Sequence, residues 1–156
     1  MSPQGHVLTS AVAGAAVAAA SGNPLAGAAC LLAGIFIDLD HFLEYFWFEG
    51  LKIDIADFKR ACEETRFPKV LLVLHSWELL AAGWTVALAA GPSGARTIGL
   101  AALVGLSLHL VLDQIYNEPF PLCYFLCYRL GVGLDAARIF KPVMRRRTAM
   151  EGARVR

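Results

Sequence analysis

The apolar stretch LAGAACLLAGIFI (residues 25–37) runs directly into the polar sequence DLDH (residues 38–41). The first part carries no charge and suits a helix in a membrane or in a protein core. Two carboxylates and an imidazole are costly at the edge of such a segment, and ionisable groups at membrane depth usually serve function. Aspartate and histidine are also common ligands of Zn, Mn, Fe and Mg. We therefore expect the rest of the chain to bring further ligands to this place.

The composition indicates a membrane protein. Of the 156 residues, 57% are hydrophobic and only 17% are charged, and the mean hydropathy is +0.55. A soluble domain usually carries about 25% charged residues. The net charge of +1 gives no general positive potential that would attract nucleic acid. The apolar composition makes membrane lipids the expected partners. None of the four cysteines forms a CxxC pair, and we interpret them as small apolar core residues.

Four apolar runs predict an all-α, polytopic membrane bundle of about four membrane helices. The runs cover residues 6–20, 24–47, 70–90 and 97–116, with turns at residues 21–24 and 91–94. Residues 49–69 mix apolar and charged side chains and predict an interfacial helix, with a solvated loop as the alternative. Residues 122–134 are expected to be re-entrant or interfacial. We expect residues 1–140 to form one membrane-embedded helical domain and residues 141–156 to form a basic cytoplasmic tail.

Basic residues are divided unequally between the two sides of this bundle. Five lie between the second and third runs and eight follow the last run, so 13 of the 14 share one side and only Arg96 lies on the other. The positive-inside rule places the larger group in the cytoplasm. We therefore expect a multi-pass protein of the cell inner membrane with both termini and the interfacial helix on the cytoplasmic side. Residues 1–5 lack Lys and Arg, so we expect the first run to be retained rather than cleaved as a signal peptide.

All four histidines lie near the predicted cytoplasmic end of a helix. His6 opens the first helix and His41 closes the second. His75 lies early in the third helix and His109 lies late in the fourth. Three aspartates fall at the same level, so we expect one shared site. The candidate metal ligands are His6, Asp38, Asp40, His41, His75, His109 and Asp113.

Local spacing supports a metal site. His109 and Asp113 are four residues apart and Asp38 and His41 are three apart, so each pair shares a helix face. Helical bundles build metal sites from such inward pairs. The expected cofactor is a divalent ion, Zn first and Mn, Fe or Mg as alternatives, and seven ligands leave room for two ions. A carboxylate not used as a ligand, Asp38 or Glu78, is the candidate general base.

The order of these motifs resembles a known family. The segments GH (residues 5–6), DLDH (38–41), HS (75–76) and LHLVLD (108–113) are similar to the membrane-bound metal-dependent hydrolases, the group containing the LexA-binding inner-membrane hydrolase. The resemblance covers the first three quarters of the chain. It implies a hydrolase with the seven candidate ligands at its metal and active-site positions. Members often carry Arg-Gly-x-Thr before the His-Ser pair, whereas this chain has VL at residues 73–74 and lacks the Arg and the Thr.

The leading functional hypothesis is metal-dependent hydrolysis of an amphiphilic substrate, such as a lipid or phosphate ester, because an interfacial helix adjoins the site. The alternative from another class is a catalytically silent metal-binding membrane scaffold, whose ligands only hold helices together. A metal-ion or proton carrier is a third hypothesis. It is disfavoured because the distal halves of the helices offer few polar residues beyond Thr85 and Thr97.

Overall fold

The computed structural model of the protein describes residues 3–64, 66–116 and 121–139, and its regular elements over these ranges are all helices. The all-α prediction is therefore confirmed. The predicted tail, residues 141–156, lies outside the described residues. The helices are α1 (Pro3–Ser21), α2 (Pro24–Phe36), α3 (Leu39–Glu49), α4 (Ile55–Glu63), α5 (Trp77–Ala89), α6 (Gly94–Tyr116), α7 (Leu126–Gly131) and α8 (Ala136–Ile139).

The first two helices form a tight hairpin around the turn predicted at residues 21–24. Gly22 adopts a positive φ of 62°, and the Asn23 side chain accepts backbone N–H groups at the start of α2. Pro24 occupies the first turn of α2, where its missing N–H costs nothing. Gly14 and Gly27 face each other so closely that a Cβ on Gly27 would lie 2.6 Å from the Gly14 carbonyl oxygen. Helix α2 packs against both α1 and α6, which places it at the centre of the bundle.

A helix, α4, is present within residues 49–69, where the sequence predicts an interfacial helix. Gly50, with a φ of 78°, ends α3, and the Asp54 side chain caps α4 by accepting the Asp57 N–H at 2.9 Å. The Tyr45 hydroxyl and the Arg66 guanidinium donate to the Asp57 carboxylate at 2.9 and 3.0 Å. These two hydrogen bonds hold the pKa of Asp57 below its ordinary value. The bond from Tyr45 fixes α4 against the C-terminal half of α3.

The third apolar run differs from its prediction. A helix was expected from residue 70, with His75 inside it, but α5 begins only at Trp77. Residues 66–76, which we call the His75 segment, are not helical. Their backbone N–H groups are engaged by side chains of α3: Glu44 accepts from Leu71 at 2.6 Å, and Asp40 accepts from Leu74 and His75. These long-range hydrogen bonds replace the i to i+4 bonds of a helix.

Within the part of the chain that the structure describes, two helical stretches are long and apolar enough to cross a membrane, fewer than the four predicted. They are Pro24–Glu49, which includes the short break between α2 and α3, and Gly94–Tyr116. Helix α5 has 13 residues, which at about 1.5 Å per residue is short of a bilayer core of about 30 Å. Helix α1 has 19 residues, but its Ala, Gly, Ser and Thr content makes it less apolar.

The predicted re-entrant segment, residues 122–134, contains the short helix α7 and closes over the His75 segment. The Val70 N–H donates to the Leu134 carbonyl oxygen at 2.9 Å, and the Ala136 N–H donates to the Pro68 carbonyl oxygen at 3.0 Å. The Trp77 N–H donates to the Tyr124 carbonyl oxygen at 3.0 Å. A buried apolar cluster, which includes Leu72, Leu80, Leu110, Cys123 and Ile139, lies beneath this closure.

Candidate metal centre

Five parts of the fold deliver the candidate ligands to one place. Helix α6 presents His109 and Asp113 one turn apart, and α1 presents His6 beside them. Asp38 lies in the break between α2 and α3, where its backbone N–H and carbonyl groups bond to residues three positions away rather than four. Helix α3 supplies Asp40 and His41, and the His75 segment supplies His75. The gathering predicted from sequence is thus present.

Four side-chain atoms form a closed ring at the centre. His109 Nε2 lies 3.3 Å from Asp38 Oδ1 and 3.4 Å from Asp113 Oδ2. His75 Nε2 lies 3.6 Å from the same Asp38 oxygen and 3.8 Å from the same Asp113 oxygen. Nitrogen and oxygen atoms bound about 2.0–2.1 Å from a tetrahedral zinc lie about 3.3–3.4 Å from one another. The four distances along the ring, 3.3–3.8 Å, are compatible with side chains that bind one divalent ion.

The hydrogen bonds behind the ring give both imidazoles the tautomer of a metal ligand. His109 Nδ1 lies 2.7 Å from the Gly34 carbonyl oxygen, which only accepts, so Nδ1 carries the hydrogen. His75 Nδ1 lies 3.4 Å from Asp40 Oδ2, a carboxylate oxygen that can accept the Nδ1 hydrogen in the same way. In the neutral form of each imidazole, Nε2 then carries a lone pair directed into the ring. Each Nε2 is buried and has no hydrogen-bond partner among the described residues.

Burial differs sharply around the ring. His75, His109 and Asp113 are 0%, 1% and 4% exposed, whereas the Asp38 side chain is 37% exposed. Unpartnered polar atoms in a buried site are costly, and a bound cation would satisfy them. The ring thus has three buried members and one member that faces solvent.

Two further histidines flank the ring. His6 Nε2 lies 2.9 Å from Asp113 Oδ1, and its ring stacks on that of His109 with centroids 3.9 Å apart. His41 Nε2 lies 4.0 Å from Asp38 Oδ1. The ligand atoms also form two compact groups within 4.8 Å, one of His6, His109 and Asp113, the other of Asp38, His41 and His75. The arrangement can accommodate a second ion as well as the first.

Besides the two flanking histidines, two candidate residues lie outside the ring. The Asp40 carboxylate accepts hydrogen bonds from the Leu74 and His75 N–H groups and lies beside His75 Nδ1. It therefore orients the His75 imidazole from the side away from the ring. Glu78 accepts hydrogen bonds from Ser76 Oγ and from two backbone N–H groups at the start of α7, each at 2.9 Å. Its role as a general base stays a prediction, and these bonds occupy both of its oxygens.

Sequence reasoning assigned no site role to Arg129. It was counted among the cytoplasmic basic residues, yet its side chain is fully buried behind the His75 segment. A charged residue in the aromatic, apolar sequence of residues 122–134 was the available signal. Glu44, one turn beyond Asp40 on α3, also supports the segment, through the Leu71 N–H.

No family model, curated protein or solved structure matches the chain. The resemblance to the membrane-bound metal-dependent hydrolases therefore rests on the motifs alone and stays a prediction. The site itself consists of the buried ring, its two flanking histidines and the carboxylates behind it.

Proposed function

We propose that this protein is a metal-dependent hydrolase of the membrane whose ion is held by His75, His109 and Asp113. One observation carries the proposal: three buried ligand atoms and the half-exposed Asp38 surround a point at metal-ligand spacing. Catalytic zinc sites commonly use three protein ligands and keep a fourth position for water, whereas structural sites are closed by four. The solvent-facing position beside Asp38 matches the open arrangement.

Asp38 is the residue best placed to act as general base. A divalent ion, when bound, lowers the pKa of a water molecule from 15.7 to about 7. The carboxylate of Asp38 reaches the ring from its exposed side, within 3.3 Å of His109 Nε2, and would accept the proton of a water entering there. Asp38 is preferred over Glu78 because the Glu78 oxygens already accept backbone hydrogen bonds.

An apolar cavity beside the ring favours an amphiphilic substrate. It has a volume of about 90 Å³, and its walls come from α5, α6, the end of α2 and the His75 segment. Three of its lining residues, Ile37, Leu74 and Leu110, are chain neighbours of ring residues. A cavity of this size is smaller than the usual ligand pocket of about 300–1,000 Å³ and can take a short apolar group of a substrate, not a whole acyl chain. A lipid or phosphate ester is the substrate class that fits.

The exposed surface supports placement in a membrane. Only 33% and 28% of the most apolar windows of Pro24–Glu49 and Gly94–Tyr116 are buried, whereas a core helix of a soluble protein is mostly buried. Exposed apolar surface on this scale needs lipid or a partner. In the proposed bundle α1 and α5 complete about four membrane helices, and the basic residues place the metal centre and both termini on the cytoplasmic side of the inner membrane.

The orientation can be checked by cysteine labelling. We expect Leu51→Cys and Ser93→Cys to react with a membrane-impermeant maleimide from opposite sides, since both sites are exposed and lie at opposite ends of the apolar helices. The Leu51 site should be cytoplasmic. Cys62 and Cys127 are replaced by serine in both variants, because they are the cysteines that are not buried. Labelling of both sites from one side would contradict the orientation.

The hydrolase proposal is tested on purified wild-type protein. We expect about one tightly bound divalent ion per chain, or two if the flanking histidines hold a second, and an electronic spectrum of the cobalt-substituted protein that changes when water is displaced by an added anion. Turnover of lipid phosphates or carboxylic esters should vanish on chelation and return with metal. His109→Ala, which removes a buried ring member, should lose the ion. Metal-free wild-type protein, unchanged in melting temperature by chelators, would contradict the proposal.

The alternative function is a metal-stapled membrane scaffold. It is favoured by the ring itself, since four protein atoms at tetrahedral spacing can saturate an ion, and the ring residues come from separate parts of the fold. A saturated site predicts a cobalt spectrum insensitive to anions and no turnover on any ester. That combination would replace the hydrolase by the scaffold.

A further inference from the structure

Arg129 is a buried cation that the proposed hydrolytic chemistry does not use. It lies in α7, is 0% exposed, and has no hydrogen-bond partner for Nε among the described residues. Burial lowers the pKa of its guanidinium, and the negative charges of Asp40, Glu78 and Glu44 oppose that effect. An arginine stays charged in proteins, so its burial needs a compensating role.

The contacts of Arg129 point to that role. Nη1 donates to the Leu72 carbonyl oxygen at 2.7 Å, and Nη2 donates to the His75 carbonyl oxygen at 3.0 Å. Both acceptors belong to the His75 segment, whose backbone has no helix or sheet partner for these groups. The planar guanidinium thus fixes two points of the segment at once, one of them the residue that carries the ring imidazole.

The opposite edge of the segment is held by carboxylates. Asp40 accepts the Leu74 and His75 N–H groups, and Glu44 accepts the Leu71 N–H. Carboxylates of α3 therefore bind N–H groups of the segment, and the guanidinium of Arg129 binds two of its carbonyl groups. The charges of the two sides compensate each other across it, which makes their joint burial tolerable.

We propose that Arg129 is the positioning residue for His75, setting its Nε2 at ligand distance in the ring through the Leu72 and His75 carbonyl groups. This inference rests on the proposed metal centre for its effect on metal binding. The effect on the backbone of the His75 segment is independent of any ion. The arginine is 54 residues from His75 in sequence and acts through the backbone, without touching the ring atoms.

The test is Arg129→Lys in the full chain, with Arg138→Lys as the matched control. Lysine keeps the positive charge among the buried carboxylates but cannot hold two carbonyl groups in the fixed geometry of a guanidinium. We expect Zn affinity to fall about 10–100-fold, the usual cost of losing an outer contact that orients a ligand. Amide hydrogen exchange should accelerate at residues 70–76 and stay unchanged in α1, α2 and α6. Arg138 is exposed and pairs with Asp135 at 3.7 Å among the residues that the structure describes, so its replacement should change neither quantity.

The outcomes separate this inference from the proposed function. Wild-type zinc affinity and wild-type exchange in Arg129→Lys would overturn the positioning role and leave the metal centre standing. Uniformly faster exchange through all helices would also overturn it, because that pattern indicates a general structural role. If wild-type protein binds no metal, the proposed function fails, while local deprotection of residues 70–76 in the variant would still support the role of Arg129.

Discussion

Asp38→Asn is expected to reduce hydrolysis about 10²–10⁴-fold while the protein keeps its ion, since that is the usual contribution of a general base. Asparagine preserves the shape of the side chain and removes its capacity to accept a proton at neutral pH. The three buried ring members are untouched by the change. Turnover of a lipid phosphate in detergent micelles, normalised to the metal content of each preparation, measures the effect.

Asp54→Asn is the matched control for that experiment. Asp54 caps α4 through the Asp57 N–H, and asparagine is an equally good N-cap residue, so this carboxylate can be neutralised without loss of structure. Activity and metal content should both remain at the wild-type level. A control that lost activity would show that the assay reports the state of the interfacial helix rather than the base.

The metal content of Asp38→Asn discriminates between the two proposed functions. In the hydrolase, Asp38 stands at the open position and the ion remains. In the scaffold, Asp38 Oδ1 is the fourth ligand, so its replacement should release the ion or weaken its binding strongly. Release of the ion together with an inactive wild type would assign Asp38 as a ligand and exclude the base.

Local signals in the sequence predicted the fold where local interactions decide it. The turn at residues 21–24 works because Gly22 tolerates a positive φ and Pro24 suits a first helical turn. His109 and Asp113 were expected on one face of a helix, and α6 places their side-chain atoms 3.4 Å apart. In both cases the residues that determine the geometry lie within about one helical turn of each other.

The His75 segment could not be predicted in the same way. Its sequence is apolar and, read alone, continues into the helix α5. What holds it out of the helix lies far away in the chain: Asp40 is 35 residues from His75, and Arg129 is 54 residues from it. The sequence placed Arg129 among the cytoplasmic basic residues because it shows where a charge lies in the chain. It does not show whether that side chain is buried. The seven candidate ligands lie near one another, and their role as metal ligands stays a prediction. Asp40 lies behind the ring, where it contacts His75 Nδ1.

Helices α2 and α6 approach each other closely at a glycine contact near the candidate metal centre. Gly105 of α6 lies against the Cys30 carbonyl group and Gly34 of α2, so that a Cβ added at Gly105 would overlap the Cys30 carbonyl oxygen. Gly34 is four residues before Asp38, and its carbonyl oxygen receives the His109 Nδ1 hydrogen. The close approach of the two helices therefore sets the separation of two ring members.

Gly105→Ala is accordingly expected to be the most destabilising single-methyl change in this interface. Backbone atoms cannot move aside as a flexible side chain does, so α2 and α6 must separate, at a cost at or above the usual range of about 1–3 kcal/mol for overpacking. The His109 hydrogen bond to Gly34 should weaken with it, and metal affinity should fall together with the melting temperature in detergent. Gly99→Ala, on the same helix with no atom within 4 Å of the added methyl, is the control and should be neutral or slightly stabilising. Equal melting temperatures for the two variants would show that α2 and α6 are not in backbone contact at Gly105.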